Sequence, residues 1–268
     1  MNFNDLFTLE GRVALVTGGS RGIGRMIVEG FLAAGCERVY ISARKEEQVR
    51  ATADELGDRV VGVPGDVSTV EGCEALAAVI GEREDKLDIL VNNAGAAWGA
   101  DIADFPENGW DKVMDVNVKA PFFLTQKCLP LLRAAGRADR PAKVIMIASI
   151  DGMKLNPWET YSYQTSKAAL IHLTRRMASR LVRDNIVVSG IGPGAFASDM
   201  NRAARDNADM VERGIPLGRI GEAEDMAAGA IYLASRAGDY VVGTTIPIDG
   251  GVVNANTGMG NFVDPSGK

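Results

Sequence analysis

Tyr163 and Lys167 stand four residues apart in a stretch, Tyr161 to Arg183, whose apolar spacing predicts a helix. Both side chains then lie on one face, about a turn apart. A tyrosine ionises near pH ~10 and by itself moves protons poorly at neutrality. An ammonium group beside it stabilises the phenolate, and a fall of about 2 to 3 units, worth roughly 3 to 4 kcal/mol, makes the phenol a usable acid or base. A bare Tyr-x-x-x-Lys spacing also arises as a surface pair, so its surroundings decide. Ser149 ends the run KVIMIAS, which reads as a strand. At such a strand end its hydroxyl can hydrogen-bond the same oxygen that Tyr163 protonates. Tyr161 competes for the role, but four residues beyond it stands Thr165, which carries no charge. The implied chemistry is proton transfer at a C–O oxygen.

A second constellation suits a phosphate. The run VALVT leads into Gly18, Gly19, Ser20, Arg21, Gly22, Ile23 and Gly24, and then into a helical pattern. Glycines permit positive φ and close approach of the main chain, and a helix N-terminus offers N–H groups and a partial positive charge. The spacing is Gly-xxx-Gly-x-Gly rather than GxGxxG, and a plain tight turn is the simpler alternative. At the end of the second apolar run, Ser42-Ala43-Arg44 contains no acid to hold a ribose 2′-hydroxyl. Arg44 can face a 2′-phosphate as a charged fork, Arg21 can approach from the turn and Ser42 can add a hydroxyl, which favours NADP(H) and leaves NAD(H) as the alternative. Solvated arginines are the plainer reading of the same residues. Asp66 can accept from an adenine amino group or, with Ser68 close behind it, cap a helix.

Seven short Val/Ile/Leu-rich runs begin at Val13, Val39, Val60, Ile89, Val144, Val187 and Thr245. Each is apolar on successive residues, as strands covered on both faces are. Between them lie amphipathic stretches at about 21–34, 46–56, 70–83, 110–132, 161–183 and 223–235. The alternation predicts an α/β protein: a single-domain, doubly wound Rossmann fold with a seven-stranded parallel sheet flanked by helices on both faces. No linker or repeat divides residues 1–268. A substrate lid is expected at about 195–216, and 254–268 reads as a polar C-terminal tail.

Composition narrows the function. With 29 Lys+Arg against 35 Asp+Glu the net charge is −6, which argues against nucleic-acid or anionic-membrane binding. One histidine, His172, and three scattered cysteines, Cys36, Cys73 and Cys128, make a metal centre a poor expectation and suit reduced thiols. His172 lies nine residues beyond Tyr163, about half a turn away around the helix, and so faces away from the site. The N-terminus shows no basic region followed by an apolar core, so a cytoplasmic protein is expected.

Taken together and in order, Thr17-Gly18-xxx-Gly22-x-Gly24, Asn92-Asn93-Ala94-Gly95, Asn117, Ser149, Tyr163-xxx-Lys167, Pro193-Gly194 and the Ile-Asp-Gly-Gly run at 248–251 resemble the short-chain dehydrogenase/reductase family, most of all its 3-oxoacyl reductase-type members. The resemblance implies a catalytic tetrad of Asn117, Ser149, Tyr163 and Lys167. It also implies cofactor contacts from Gly18, Ser20, Arg21, Gly22, Ile23, Gly24, Ser42, Arg44, Asp66, Val67, Asn93, Ala94, Gly95, Tyr163, Lys167, Pro193 and Gly194. In the family the Asn117 carbonyl binds a water on the proton path to the lysine. Pro121, four residues on, has no N–H to offer that carbonyl, which is a physical reason for its freedom. The implied reaction is NADPH-dependent reduction of a ketone to a secondary alcohol. The alternatives are an alcohol, polyol or steroid dehydrogenase working oxidatively and, in another class, a non-catalytic NADP(H)-sensing protein.

Trp98, Met153, Trp158, Phe196 and Met200 follow strand ends or motif residues and are candidates for an apolar substrate pocket, with core filling as the alternative for each. The resemblance further implies a homodimer or homotetramer paired through the helices at 110–132 and 161–183. An arginine stripe, Arg176, Arg180 and Arg183, reads as solvated surface or as a dock for an acyl carrier protein.

Overall fold

The seven apolar runs become the strands β1 (Val13–Thr17), β2 (Arg38–Ala43), β3 (Val60–Pro64), β4 (Ile89–Asn92), β5 (Ala142–Ile147), β6 (Ile186–Pro193) and β7 (Thr245–Ile248). They form one parallel sheet in the order β3-β2-β1-β4-β5-β6-β7. The computed structural model describes residues 3–198 and 201–255 and opens on a short helix, α1 (Phe3–Phe7). Successive residues of β1 serve opposite faces, as strand geometry dictates. Val13 and Leu15 join a core with α4 (Val70–Gly81), α6 (Ala120–Ala135) and α7 (Tyr161–Leu181), whereas Ala14 and Val16 join one with α2 (Gly22–Ala33), α3 (Glu46–Leu56) and α10 (Ala223–Ala234). Both faces are thus covered, which is why the strands read as continuous apolar runs.

The chain leaves β1 toward β2 and β3 on one side and returns to β4 on the other. Connections diverge above β1 and β4, and a crevice opens there at the C-terminal strand ends. The expected 195–216 segment contains two short helices, α8 (Arg202–Asp206) and α9 (Ala208–Glu212). The tail from residue 256 on lies outside the described residues, as does Met200.

One expected helix differs in its interior. In place of a plain helix over 110–132, α5 (Glu107–Met114) passes through a π turn at Asp115–Lys119 into α6. Pro121 cannot close the ordinary bond to the Asn117 carbonyl, and a wider turn accommodates the gap. Asn117 itself is buried within this turn.

Candidate active site

The glycine turn, the strand ends and the segment carrying α8 and α9 line one cleft of about 1250 Å³. Pockets for one small ligand hold roughly 300–1,000 Å³, so this cleft has room for a cofactor and a substrate together. One end of it is built on the turn after β1. Gly18 and Gly22 have φ of +66° and +52°, and a Cβ at Gly24 would fall 2.3 Å from the Gly18 carbonyl oxygen, so this cradle admits no side chain. The turn is held from beneath by β4. Thr17 Oγ1 accepts from the backbone N–H of Asn93 and of Ala94, both at 3.0 Å, and Asn93 Nδ2 donates to the Thr17 carbonyl at 2.8 Å.

Ser20, Arg21, Gly22, Ile23, Gly24, Ser42, Arg44, Asp66, Val67, Asn93, Ala94, Gly95, Pro193 and Gly194 all line this cleft. Ser42 is buried, and its Oγ meets no partner among the described residues. A buried hydroxyl without a partner is costly unless a ligand supplies one, and beside Arg44 it fits the ribose end of a dinucleotide. Lys45 and Gln48 also face the cleft, and sequence reasoning missed both. They open α3, and neither falls within a recognisable motif. Asp66 Oδ1 accepts from Ser68 N–H at 3.0 Å, while Thr69 caps α4, so Asp66 braces the loop and lines the cleft as well.

At the other end stand Ser149, Tyr163 and Lys167, brought together by the end of β5 and the first turns of α7. Lys167 is buried. Its Nζ donates to the Ile147 carbonyl at 2.8 Å and lies 5.6 Å from the Tyr163 ring centre. The geometry therefore does not give the expected lowering of the tyrosine pKa. Burial pushes Tyr163 up to about 12, against the opposing effect of the Ser149 hydroxyl, and burial also brings Lys167 down to about 8. The ammonium is turned to a main-chain carbonyl instead of the phenol oxygen. Asn117 does not line the cleft with its side chain. Its Oδ1 accepts from Ala96 N–H at 2.8 Å, and its Nδ2 donates to the Ala96 carbonyl and to Ser166 Oγ, both at 2.9 Å. That amide ties the π turn to the loop after β4 and to α7, and leaves the carbonyl as the group through which Asn117 could act.

The apolar pocket is only partly as expected. Phe196 and Trp158 line the cleft, Phe196 as a buried wall and Trp158 as an exposed rim. Trp98 and Met153 do not line it. Trp98 packs on Gly109, where a Cβ would fall 2.7 Å from the indole, and lies under the Lys112 ammonium. Met153 turns back onto Gly192 and the core. Arg205 of α8 and Met210 and Val211 of α9 face the cleft in addition. His172 is exposed on α7, away from it. No helix among the described residues is long and apolar enough to cross a membrane.

Residues 18–253 match the family model described as enoyl-(acyl carrier protein) reductase. The chain is 48% identical over 251 residues to the rhamnolipids biosynthesis 3-oxoacyl-[acyl-carrier-protein] reductase of Pseudomonas aeruginosa, covering 91% of this chain and 97% of that protein. It is 34% identical over 248 residues to the 2-dehydro-3-deoxy-D-gluconate 5-dehydrogenase of Dickeya dadantii, covering 91% of this chain and 96% of that protein. Among solved structures, the Pseudomonas aeruginosa RhlG/NADP active-site complex superposes with a TM-score of 0.89 at 46% identity, covering 94% of this chain and all of that one. With the sheet order, the glycine cradle and the Ser-Tyr-Lys cluster in one cleft, these likenesses establish that the chain belongs to the short-chain dehydrogenase/reductase family and is an oxidoreductase.

Proposed function

We propose that this protein reduces a ketone to a secondary alcohol with NADPH, acting on a 3-oxoacyl thioester or a close relative of one. The observation that carries the reading is the meeting of Ser149, Tyr163 and Lys167 at one end of the cleft whose other end is the glycine cradle with Arg44 and the unpartnered Ser42. The relative with 48% identity is named as a 3-oxoacyl reductase, and the RhlG structure is named as an NADP complex, which supports both halves of the proposal.

When bound, NADPH supplies the hydride. Arg21, Arg44 and Ser42 would hold its 2′-phosphate end, and the glycine turn its pyrophosphate. Ser149 hydrogen-bonds the substrate carbonyl oxygen. Tyr163, neutral at physiological pH because burial holds its proton, donates that proton to the same oxygen as negative charge develops there. Lys167, whose Nζ now donates to the Ile147 carbonyl, would hold the cofactor ribose and, as a nearby ammonium, favour the ionised phenol, and the Asn117 carbonyl would accept from a water on the path that returns the proton. Tyr163→Phe should cut turnover of a 3-oxoacyl thioester by about a thousandfold or more while leaving NADPH affinity within about twofold, read by NADPH consumption and by fluorescence titration. Unchanged turnover would remove the proposed acid.

The 2-dehydro-3-deoxy-D-gluconate 5-dehydrogenases, 34% identical, support a second reading, a sugar-acid dehydrogenase. For assembly, Met114, Val118, Phe122, Phe123 and Leu173 line an apolar hollow between the α5–α6 helix and α7, which suits a second copy of the chain. An acyl carrier protein would meet the α7 arginines. Arg180 is paired to Asp184, and Arg176 leans on Ser179, so the stripe is partly tied down on its own helix.

A further inference from the structure

Among the described residues, one acidic side chain lies at the Tyr163 end of the cleft, and the hydride and proton transfer make no use of it. Asp151 sits two residues beyond Ser149 in the short turn Ile150–Gly152 and lines the cleft beside Asn156, Tyr163 and Lys167. Its N–H donates to Ser149 Oγ at 3.1 Å, which fixes this turn against the hydroxyl that receives the substrate oxygen. Asn156 is fixed in turn. Its Oδ1 accepts from Trp158 N–H at 2.8 Å and from Gln164 Nε2 at 3.1 Å, and its amide favours the charged form of the Asp151 carboxylate. Burial raises the Asp151 carboxyl above its ordinary value, and Asn156 and Lys167 oppose that rise by favouring the charged form.

A carbonyl oxygen held by Ser149 and Tyr163 would bring its neighbouring atoms into the part of the cleft that Asp151 also lines. An ester or thioester brings no charge there. A carboxylate at the same position meets a like charge inside a cleft that excludes much of the water, at a cost of about tenfold or more in affinity.

We propose that Asp151 is a charge filter for the substrate: it admits neutral 3-oxo esters and thioesters and turns away ketones that carry a carboxylate, sugar acids among them. The inference rests on the reading of the cleft as a ketone-reducing site, and it decides between the two substrate classes that the relatives suggest. Its test compares kcat/KM for methyl acetoacetate and for acetoacetate, which differ in charge at one position, in the wild type, Asp151→Asn and Asp151→Glu. Asp151→Asn should raise the acetoacetate-to-ester ratio by about tenfold or more, and Asp151→Glu should keep the wild-type ratio. Both substrates use the same Ser149, Tyr163 and Lys167, so an effect of the substitution on those groups cancels in the ratio. A ratio unchanged within about twofold in Asp151→Asn overturns the proposal.

Failure of the ketone-reduction reading would show differently, as no turnover of either compound by the wild type. The filter is then read by equilibrium binding of butyrate and butyramide to the NADP⁺-loaded protein. Asp151→Asn should tighten butyrate by about tenfold and leave butyramide unchanged, and equal butyrate affinity in the two proteins overturns the proposal.

Discussion

Tyr163 keeps its proton in the resting protein, and that suits a reductase better than an ionised tyrosine would. With a phenol pKa of about 12, absorbance at 295 nm should show no Tyr163 ionisation below about pH 11 in the cofactor-free protein, with Tyr163→Phe as the reference. A titration step near pH 7 to 8 that vanished in the variant would contradict this. At the glycine-turn end of the cleft, Arg44→Ala should weaken NADPH by about tenfold or more and NADH by less than about twofold, read from dissociation constants. Equal losses would dismiss the arginine from the 2′-phosphate. Most of this end was legible in the sequence, because glycine spacing and the lack of an acid after Ala43 are properties of adjacent residues. Lys45, Gln48 and Asp151 were not, since each joins the cleft by where its loop or helix points. Trp98 and Met153 show the reverse: a position after a motif suggests a pocket wall, but small neighbours, Gly109 and Gly192, draw these side chains into packing.

Elements hold these groups through their ends. Asp225, in the first turn of α10, accepts from Glu222 N–H at 2.9 Å and from both Arg219 Nη atoms, at 2.6 and 3.0 Å. The arginine and the cap together bring its pKa down to about 2. A lowered carboxylate pKa adds stability above the unfolded value, near 4, and that stability is lost as pH falls toward 2. Asp225→Asn should therefore cost about 1 kcal/mol at pH 7, a figure kept small because the pair is partly solvated, and should remove part of the stability change between pH 4 and 2. Thermal melts across that range would check it. Helix and strand extents were largely readable from period and length, with α3 and β7 found at their expected limits. The π turn was only half legible. Pro121 marks a missing hydrogen bond, but whether a helix kinks, breaks or widens there depends on what its two halves must pack against.

Across the whole molecule, a second group of buried charges lies at the end of the sheet opposite the cleft. Where the strands begin, Lys143 is 1% exposed and reaches Asp239 at 2.7 Å, and Asp88 accepts from Val13 N–H and pairs with Lys86. Asp239→Asn, which strands a buried ammonium, should cost about 3 kcal/mol, whereas Lys143→Met should cost much less; denaturant unfolding of both would show equal losses if the pair does not act this way. At the apolar hollow beside Phe122, Phe122→Glu should shift the chain to a smaller assembly in light scattering if a second copy covers that face. The π turn also sets the rotational phase of everything after it. Val113 and Leu132 are both fully buried, yet nineteen residues of plain helix advance about 100° beyond a whole number of turns and would aim them at different faces. One extra residue in a single turn takes back about that angle. Straightening 115–119 without removing a residue would thus swing Leu124, Cys128 and Leu132 out of the core, whereas removing one residue as the turn straightens leaves about five whole turns and keeps them in place, so the wide turn acts as an inserted spacer whose phase the rest of the helix already absorbs.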